Sequence, residues 1–272
     1  MKQWIFLVVC LGLPFFGFAQ TQLFDQSYGA RSLGMGNIRM MIGDSWSILN
    51  HVGSLDRLEY SEVSIGLDQR FGIQELSTLS FSGAWKSKIG TAGIGISRFG
   101  GQAFNQQLLG LGFSNTLGIV SLGGRIDWFQ TQIEGFGSGS AFLFSMGGVA
   151  ELSPEFFLGA NFSNLNQSKL SKSSDLKLPT SIQLGVTYLP SDFLRISAEL
   201  DKSIELPAQV RVGLESFLKP WLYLRTGIHS QPSRLHFGFG IRKNGWGLDY
   251  ALGQQTALGS THHLSLILKW TE

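Results

Sequence analysis

The sequence predicts an all-β fold, an antiparallel transmembrane β-barrel of about fourteen strands. Three observations carry this reading. Charged residues make up only 15% of the 272 positions, against about 25% in an ordinary soluble domain. Mean hydropathy is slightly positive, yet beyond the N-terminus no apolar run approaches the ~18 residues of a membrane helix. From Ser61 onward, apolar and polar residues alternate in strand-sized segments, so the hydrophobicity lies on one face of many strands.

The chain starts "MKQWIFLVVCLGLPFFGFAQ". Lys2, an apolar core and the small residues Gly17 and Ala19 make residues 1–19 a secretory signal peptide. Pro14 breaks the apolar run, which argues against a membrane anchor. The one cysteine, Cys10, lies inside that run. Its neighbour Val9 is poorly suited to lipoprotein processing, so the mature chain is expected to hold neither lipid anchor nor thiol.

Segments near 61–70, 75–85, 89–98, 105–115, 118–131, 140–150 and 155–164 read as strands closed by turn chemistry. A second set follows near 179–190, 193–202, 206–218, 221–230, 233–243, 245–254 and 260–270. Each is close to the ~9–11 residues that a tilted strand needs to cross a bilayer. Ile182, Leu184, Val186 and Tyr188 share one face, as do Leu235, Phe237, Phe239 and Ile241. A soluble sandwich alternates in the same way, so periodicity alone leaves both open.

Connection lengths separate the two. Tight turns at Lys86–Lys88, Asn115–Leu117, Ser153–Pro154, Pro190–Asp192, Lys219–Pro220 and Lys243–Gly245 alternate with longer connections. These include "QIEGFGSGS", "NQSKLSKSSDLKLP" and "GQQTALGS", although the first, "FGIQ", is short. Alternation of this kind belongs to a barrel with its short turns on one side of the membrane. Trp85, Trp128, Tyr188, Trp246, Tyr250 and Trp270 sit mostly near segment ends, as an interfacial girdle does. In the final strand Leu264, Leu266, Leu268 and Trp270 then face lipid. That ending resembles the C-terminal recognition signal of bacterial outer-membrane proteins, with Thr271 and Glu272 overhanging. Outer-membrane lipid and the barrel-assembly machinery are the partners it implies.

Residues 20–60 do not alternate, and must lie below the barrel, pack on its end or cross its lumen. The stretch "YGARSLGMGNIRMMIGDSWSILNHVGSL" resembles the N-terminal motif of FadL-like outer-membrane proteins, especially the PorV/PorQ group of Bacteroidetes. Gly29, Ala30, Arg31, Leu33, Gly34, Met35 and Gly36 match its first part, Asp44 its acidic turn, and Asn50, Gly53 and Leu55 its last part. His51 and Val52 replace a Pro-Ala pair, and Ser54 intervenes before Leu55. The resemblance implies a fourteen-stranded barrel over 61–272 with residues 20–60 folded into the lumen as a hatch. Asn50 and Gly53 are expected to form the turn into the first strand.

No spacing of His229, His236, His262, His263, Asp249 and the serines nearby fixes a nucleophile–base pair. Adjacent His262 and His263 point to opposite faces, which argues against a shared metal. No catalytic set, metal or cofactor is expected, and a net charge of +2 gives no basis for a nucleic-acid partner. By parity Arg195, Glu199, Asp201, Arg211, Glu215, Arg225, Arg234, Arg242, Asp249 and Lys269 face the lumen, where mixed charges are expected to pair. Gly93, Gly95, Gly110, Gly112, Gly123, Gly147 and Gly159 face inward too, making room for the hatch. The resemblance implies one of two non-enzymatic roles. The first is a PorV/PorQ-like part in type IX secretion or surface assembly, binding translocon or cargo. The alternative is a FadL-like passive carrier of hydrophobic small molecules.

Overall fold

The computed structural model describes residues 27–40, 42–171, 174–204, 207–255 and 258–270. The signal peptide read at 1–19 and the first part of the hatch segment, 20–26, lie outside these residues. Fourteen antiparallel strands close into one barrel. They are β1 (Ser61–Arg70), β2 (Ser77–Ser87), β3 (Gly90–Gly100), β4 (Phe104–Leu117), β5 (Val120–Ile133), β6 (Gly137–Ser153) and β7 (Phe156–Ser163). After a two-stranded hairpin, β8 (Lys169–Ser171) with β9 (Ser174–Lys177), come β10 (Ser181–Ser191), β11 (Leu194–Ser203), β12 (Gln209–Lys219) and β13 (Leu222–His229). The barrel ends with β14 (Arg234–Lys243), β15 (Trp246–Gln255) and β16 (Gly259–Trp270). The first and last strands pair in unbroken register from Ser61–Trp270 to Arg70–Thr261. Every described barrel strand thus has two hydrogen-bonded neighbours, which a chain in lipid requires.

The period-two pattern sets the faces. Leu79, Leu111, Phe142, Leu184, Phe237 and Leu266 all stand on the outside, half or more exposed. Ser64, Asp127, Gln183, Glu215, Arg225 and Asp249, at opposite parity, are buried inside. This is inverted relative to a soluble sandwich, whose apolar face is the buried one. Leu264, Leu266 and Leu268 face outward, and Ser265 inward.

All six turns at one end of the barrel, the end where Ser61 and Trp270 lie, are two residues long. At Asn244–Gly245 both residues take positive φ, 50° and 81°, the geometry of a type I′ hairpin turn. The other end differs from expectation. The Gly/Ser-rich stretch read as a long loop, 132–140, is mostly strand, because β5 and β6 keep their ladder to the Ile133–Gly137 pair and leave only 134–136 as a turn. The long connection is 164–180, which carries the β8–β9 hairpin.

Residues 27–58 fill the lumen. Two short helices, α1 (Ala30–Gly34) and α2 (Ser47–Asn50), and a 3-10 turn at Val52–Arg57 make up its regular part. Trp46, Ile48, Leu55 and Leu58 are essentially fully buried. Asn50 does not form the expected turn. It closes α2, and its amide both accepts from the Tyr28 N–H (2.7 Å) and donates to the Tyr28 carbonyl (2.8 Å), tying the start of the segment to its middle.

Candidate functional site

The luminal segment meets two unlike walls. On β3 to β6 the inward residues at mid-height are glycines, and apolar side chains of α2 and the 3-10 turn occupy the space a Cβ would need. Ile48 and Leu55 lie against Gly93, Leu49 against Gly95, and Val52 against Gly112. Gly53 and Gly123 tolerate no side chain. A Cβ on Gly53 would fall 2.5 Å from the Gly147 carbonyl carbon, and one on Gly123 would fall 2.5 Å from the Val52 oxygen. Backbone thus packs on backbone, the use of glycine that close approach demands. His51, fully buried beside Gly147, has its Nε2 3.1 Å from the Ala160 carbonyl, and burial lowers its pKa to about 4.

Toward the long-connection end this wall turns apolar. Phe99, Leu108, Phe129 and Leu143 point inward and join one buried cluster with Tyr28, Leu49 and Leu178. Leu76 and Leu170 pack against the same cluster from the connections, Leu170 coming from the β8–β9 hairpin. Sequence reading missed these residues as a group. Their signal was present, because Phe99 has the same strand parity as Gly93 and Gly95.

The wall from β11 to β16 is ionic. Glu215 accepts two hydrogen bonds from Arg31 of α1, Nε at 2.9 Å and Nη2 at 2.6 Å, and one from Arg225 at 2.8 Å. Arg225 continues to Asp249 at 2.7 Å, where Arg242 also donates at 2.6 Å. Arg195 stands 3.6 Å from Glu215. A second group lies nearby. Glu199 accepts the backbone N–H of Arg39 (2.8 Å) and Met40 (3.2 Å), while Arg211 bridges Glu199 and Asp201. Arg234 lies beside His229 and His236 at the long-connection end. For Arg31, burial works against its charge, but the Glu215 carboxylate more than reverses this and raises its pKa.

Glycines of the motif let α1 reach this wall. The Gly34 position packs on the Gly238 Cα, and Gly36, with φ 76°, would place a Cβ 2.8 Å from the Ile228 nitrogen. Gly29 sits under the Trp46 ring. The Asp44 carboxylate lies 3.8 Å from Arg31 and receives no hydrogen bond from the described residues. Burial raises its pKa to about 7, with Arg31 only partly opposing. It borders a cavity of 410 Å³ at the short-turn end, together with Arg195, Arg242 and Lys269.

His263 faces inward on Asp68 (2.7 Å), and His262 faces outward to the Tyr250 hydroxyl (2.7 Å). Among the described residues no three His, Cys, Asp or Glu side chains are grouped to hold a metal ion.

No protein family and no curated relative matches the sequence. Solved structures do. The chain is similar to the CymD monoaromatic hydrocarbon channel, with a TM-score of 0.72 at 12% identity over 90% of this chain and 98% of that one. It is also similar to the Pseudomonas putida toluene transporter TodX, with a TM-score of 0.68 at 11% identity over 89% and 96%. A third is the Ralstonia pickettii toluene transporter TbuX, with a TM-score of 0.67 at 12% identity over 91% and 99%. These are named as channels and transporters, and a Pseudomonas aeruginosa FadL homologue shares the fold. Identity this low establishes architecture alone. With its lipid-facing outer belt and ionic interior, the chain is a fourteen-stranded barrel of the Gram-negative outer membrane, with the fold of the FadL-family barrels.

Proposed function

We propose that the chain is a passive, non-enzymatic carrier of small hydrophobic compounds across the outer membrane, with residues 20–60 acting as its hatch. The observation that carries this reading is the apolar stretch of luminal wall, Phe99, Leu108, Phe129 and Leu143, between the luminal segment and the long-connection end. Pockets for small apolar ligands are lined in this way. In this reading the long connection is extracellular and the two-residue turns are periplasmic. A compound displaces Leu170 and Leu178, rests on the Phe129 side of the lumen, and passes when Ile48 and Leu49 leave their glycine seats. The hydrocarbon channels of the same fold support this. The PorV/PorQ-like secretion reading rests on the motif around Gly29–Gly36 and Asn50–Leu55, and the fold neighbours add nothing to it.

Uptake of radiolabelled toluene tests the proposal, in cells whose own outer membrane lacks a hydrocarbon channel. Expression of the chain should give faster uptake, and Phe129→Arg should return it to background while the barrel still assembles. Uptake no faster than in cells carrying an empty vector overturns the carrier reading.

A further inference from the structure

The outer wall of the barrel is recessed over β6, β7, β10 and β11. On β6, β7 and β11 the lipid-facing positions Gly148, Ala150, Ala160 and Ala198 carry at most a methyl group and lie close together, whereas Ala92 and Gly124 stand singly on β3 and β5. Gly148 pairs directly with Ala160 across β6 and β7, so two small positions fall side by side. Leu158 and Leu200 stand 38% and 42% exposed beside them, and Leu184 and Val186 of β10, 50% and 38% exposed, run between Ala160 and Ala198. The result is a groove of 690 Å³, lined almost wholly by apolar atoms. Behind it the lumen is filled. Met40 packs on Val149, and Glu199 is held by backbone amides of the luminal segment.

What covers this groove follows from where it lies. Its rim belongs to the belt that faces hydrocarbon, so its surroundings are acyl chains. A flat wall touches a chain along one side only. A recess over Gly148, Ala150, Ala160 and Ala198, edged by Leu158, Leu184 and Leu200, touches it on more than one side, and dispersion attraction grows with the number of close atom pairs. Tyr188 and Phe193, both strongly exposed, follow on β10 and its turn toward the short-turn end, at the height of an interfacial aromatic girdle. That places the groove in the leaflet on the short-turn side, which is the phospholipid leaflet in the orientation proposed above. Only the choice of leaflet rests on that orientation.

We propose that this groove holds one acyl chain of a phospholipid as a bound lipid, retained where its neighbours exchange. Native mass spectrometry of the full chain, with phosphatidylethanolamine supplied and then removed by detergent exchange, reads this directly. The wild-type chain should keep one phosphatidylethanolamine. Ala160→Phe and, separately, Ala198→Phe fill the groove from opposite sides, and each should lower the retained lipid at least about tenfold. Both should leave toluene uptake and heat-modifiable gel migration unchanged. If one variant fails to assemble, the other carries the test. Four results overturn the proposal: no lipid on the wild-type chain, as much lipid on both variants as on the wild-type chain, retention of lipopolysaccharide alone, or a dimer that the variants dissociate. Displacement of the lipid by toluene at uptake concentrations also overturns it, since the groove would then hold the carried compound.

Discussion

On the wall from β3 to β6 glycines receive Ile48, Leu49, Val52 and Leu55, while on the wall from β11 to β16 carboxylates receive Arg31, Arg225 and Arg242. One segment is seated by both, yet the two contacts respond differently to damage. Apolar contact is graded, because each methylene removed costs its own transfer free energy plus the void it leaves. The ionic wall is closer to all-or-none. Glu215 is shared by Arg31 and Arg225, so removing it takes from Arg31 its hydrogen-bonded carboxylate and from Arg225 one of two, leaving Asp249. Steric fit locates the segment, and the shared carboxylate fixes whether it stays.

The largest effect should therefore come from Glu215→Ala. A buried pair broken on one side costs about 3–5 kcal/mol. The expected outcome is a barrel that assembles but leaks, seen as raised conductance in planar bilayers and protease cleavage within the luminal segment. Replacing Arg31 and Glu215 together with methionine should recover much of the loss. Single and double variants that conduct alike would show that the ionic wall does not hold the segment.

Leu49→Ala tests the other wall. Its side chain fills the space over Gly95 and Gly110, and a buried leucine truncated to alanine costs about 2–5 kcal/mol. Loss of thermal stability with little change in conductance is expected, because the Arg31–Glu215 contact survives. Conductance rising as far as in Glu215→Ala would remove the distinction between the walls.

The smallest predicted effect is in pH. Asp44 has its pKa raised by burial to about 7, with Glu62 and Asp249 adding to the rise and Arg31 and Lys269 opposing it. A carboxyl whose folded pKa is raised favours the seated state below its ordinary pKa near 4, and that contribution is lost as pH climbs toward 7. Open events should thus be rarer at pH 5 than at pH 8, and Asp44→Asn should flatten the dependence. More openings at pH 5 would reverse the sign and rule Asp44 out as the titrating group.

The barrel was legible because alternation is a local signal. Leu264, Ser265 and Leu266 reveal their faces without knowledge of any partner strand. Parity also assigned Glu215 and Asp249 to the lumen. Their partners were hidden, because Arg31 lies 184 positions from Glu215 and no spacing rule spans that distance. Gly93, Gly95 and Gly112 announced close contact, but not that Ile48, Leu49 and Val52 would fill it. The Gly/Ser stretch at 132–140 misled for a different reason. Its composition reads as loop, while backbone pairing between β5 and β6 continues regardless of side chain.

The seam between β1 and β16 also has a history in time. Ser61 directly follows the luminal segment, and its partner, Trp270, ends the last described strand. Twelve other strands separate them around the barrel, so this is the pairing with the farthest ends to bring together. Such non-local contacts form late. The segment beforehand is tethered to β1, and once the seam zips it is ringed on every side. Its glycine backbone lies so close to Gly147 and Gly227 that no bulkier chain passes between. Assembly is then a matter of order: the stopper goes in while the bottle is still an open sheet, and the final strand is the act that traps it.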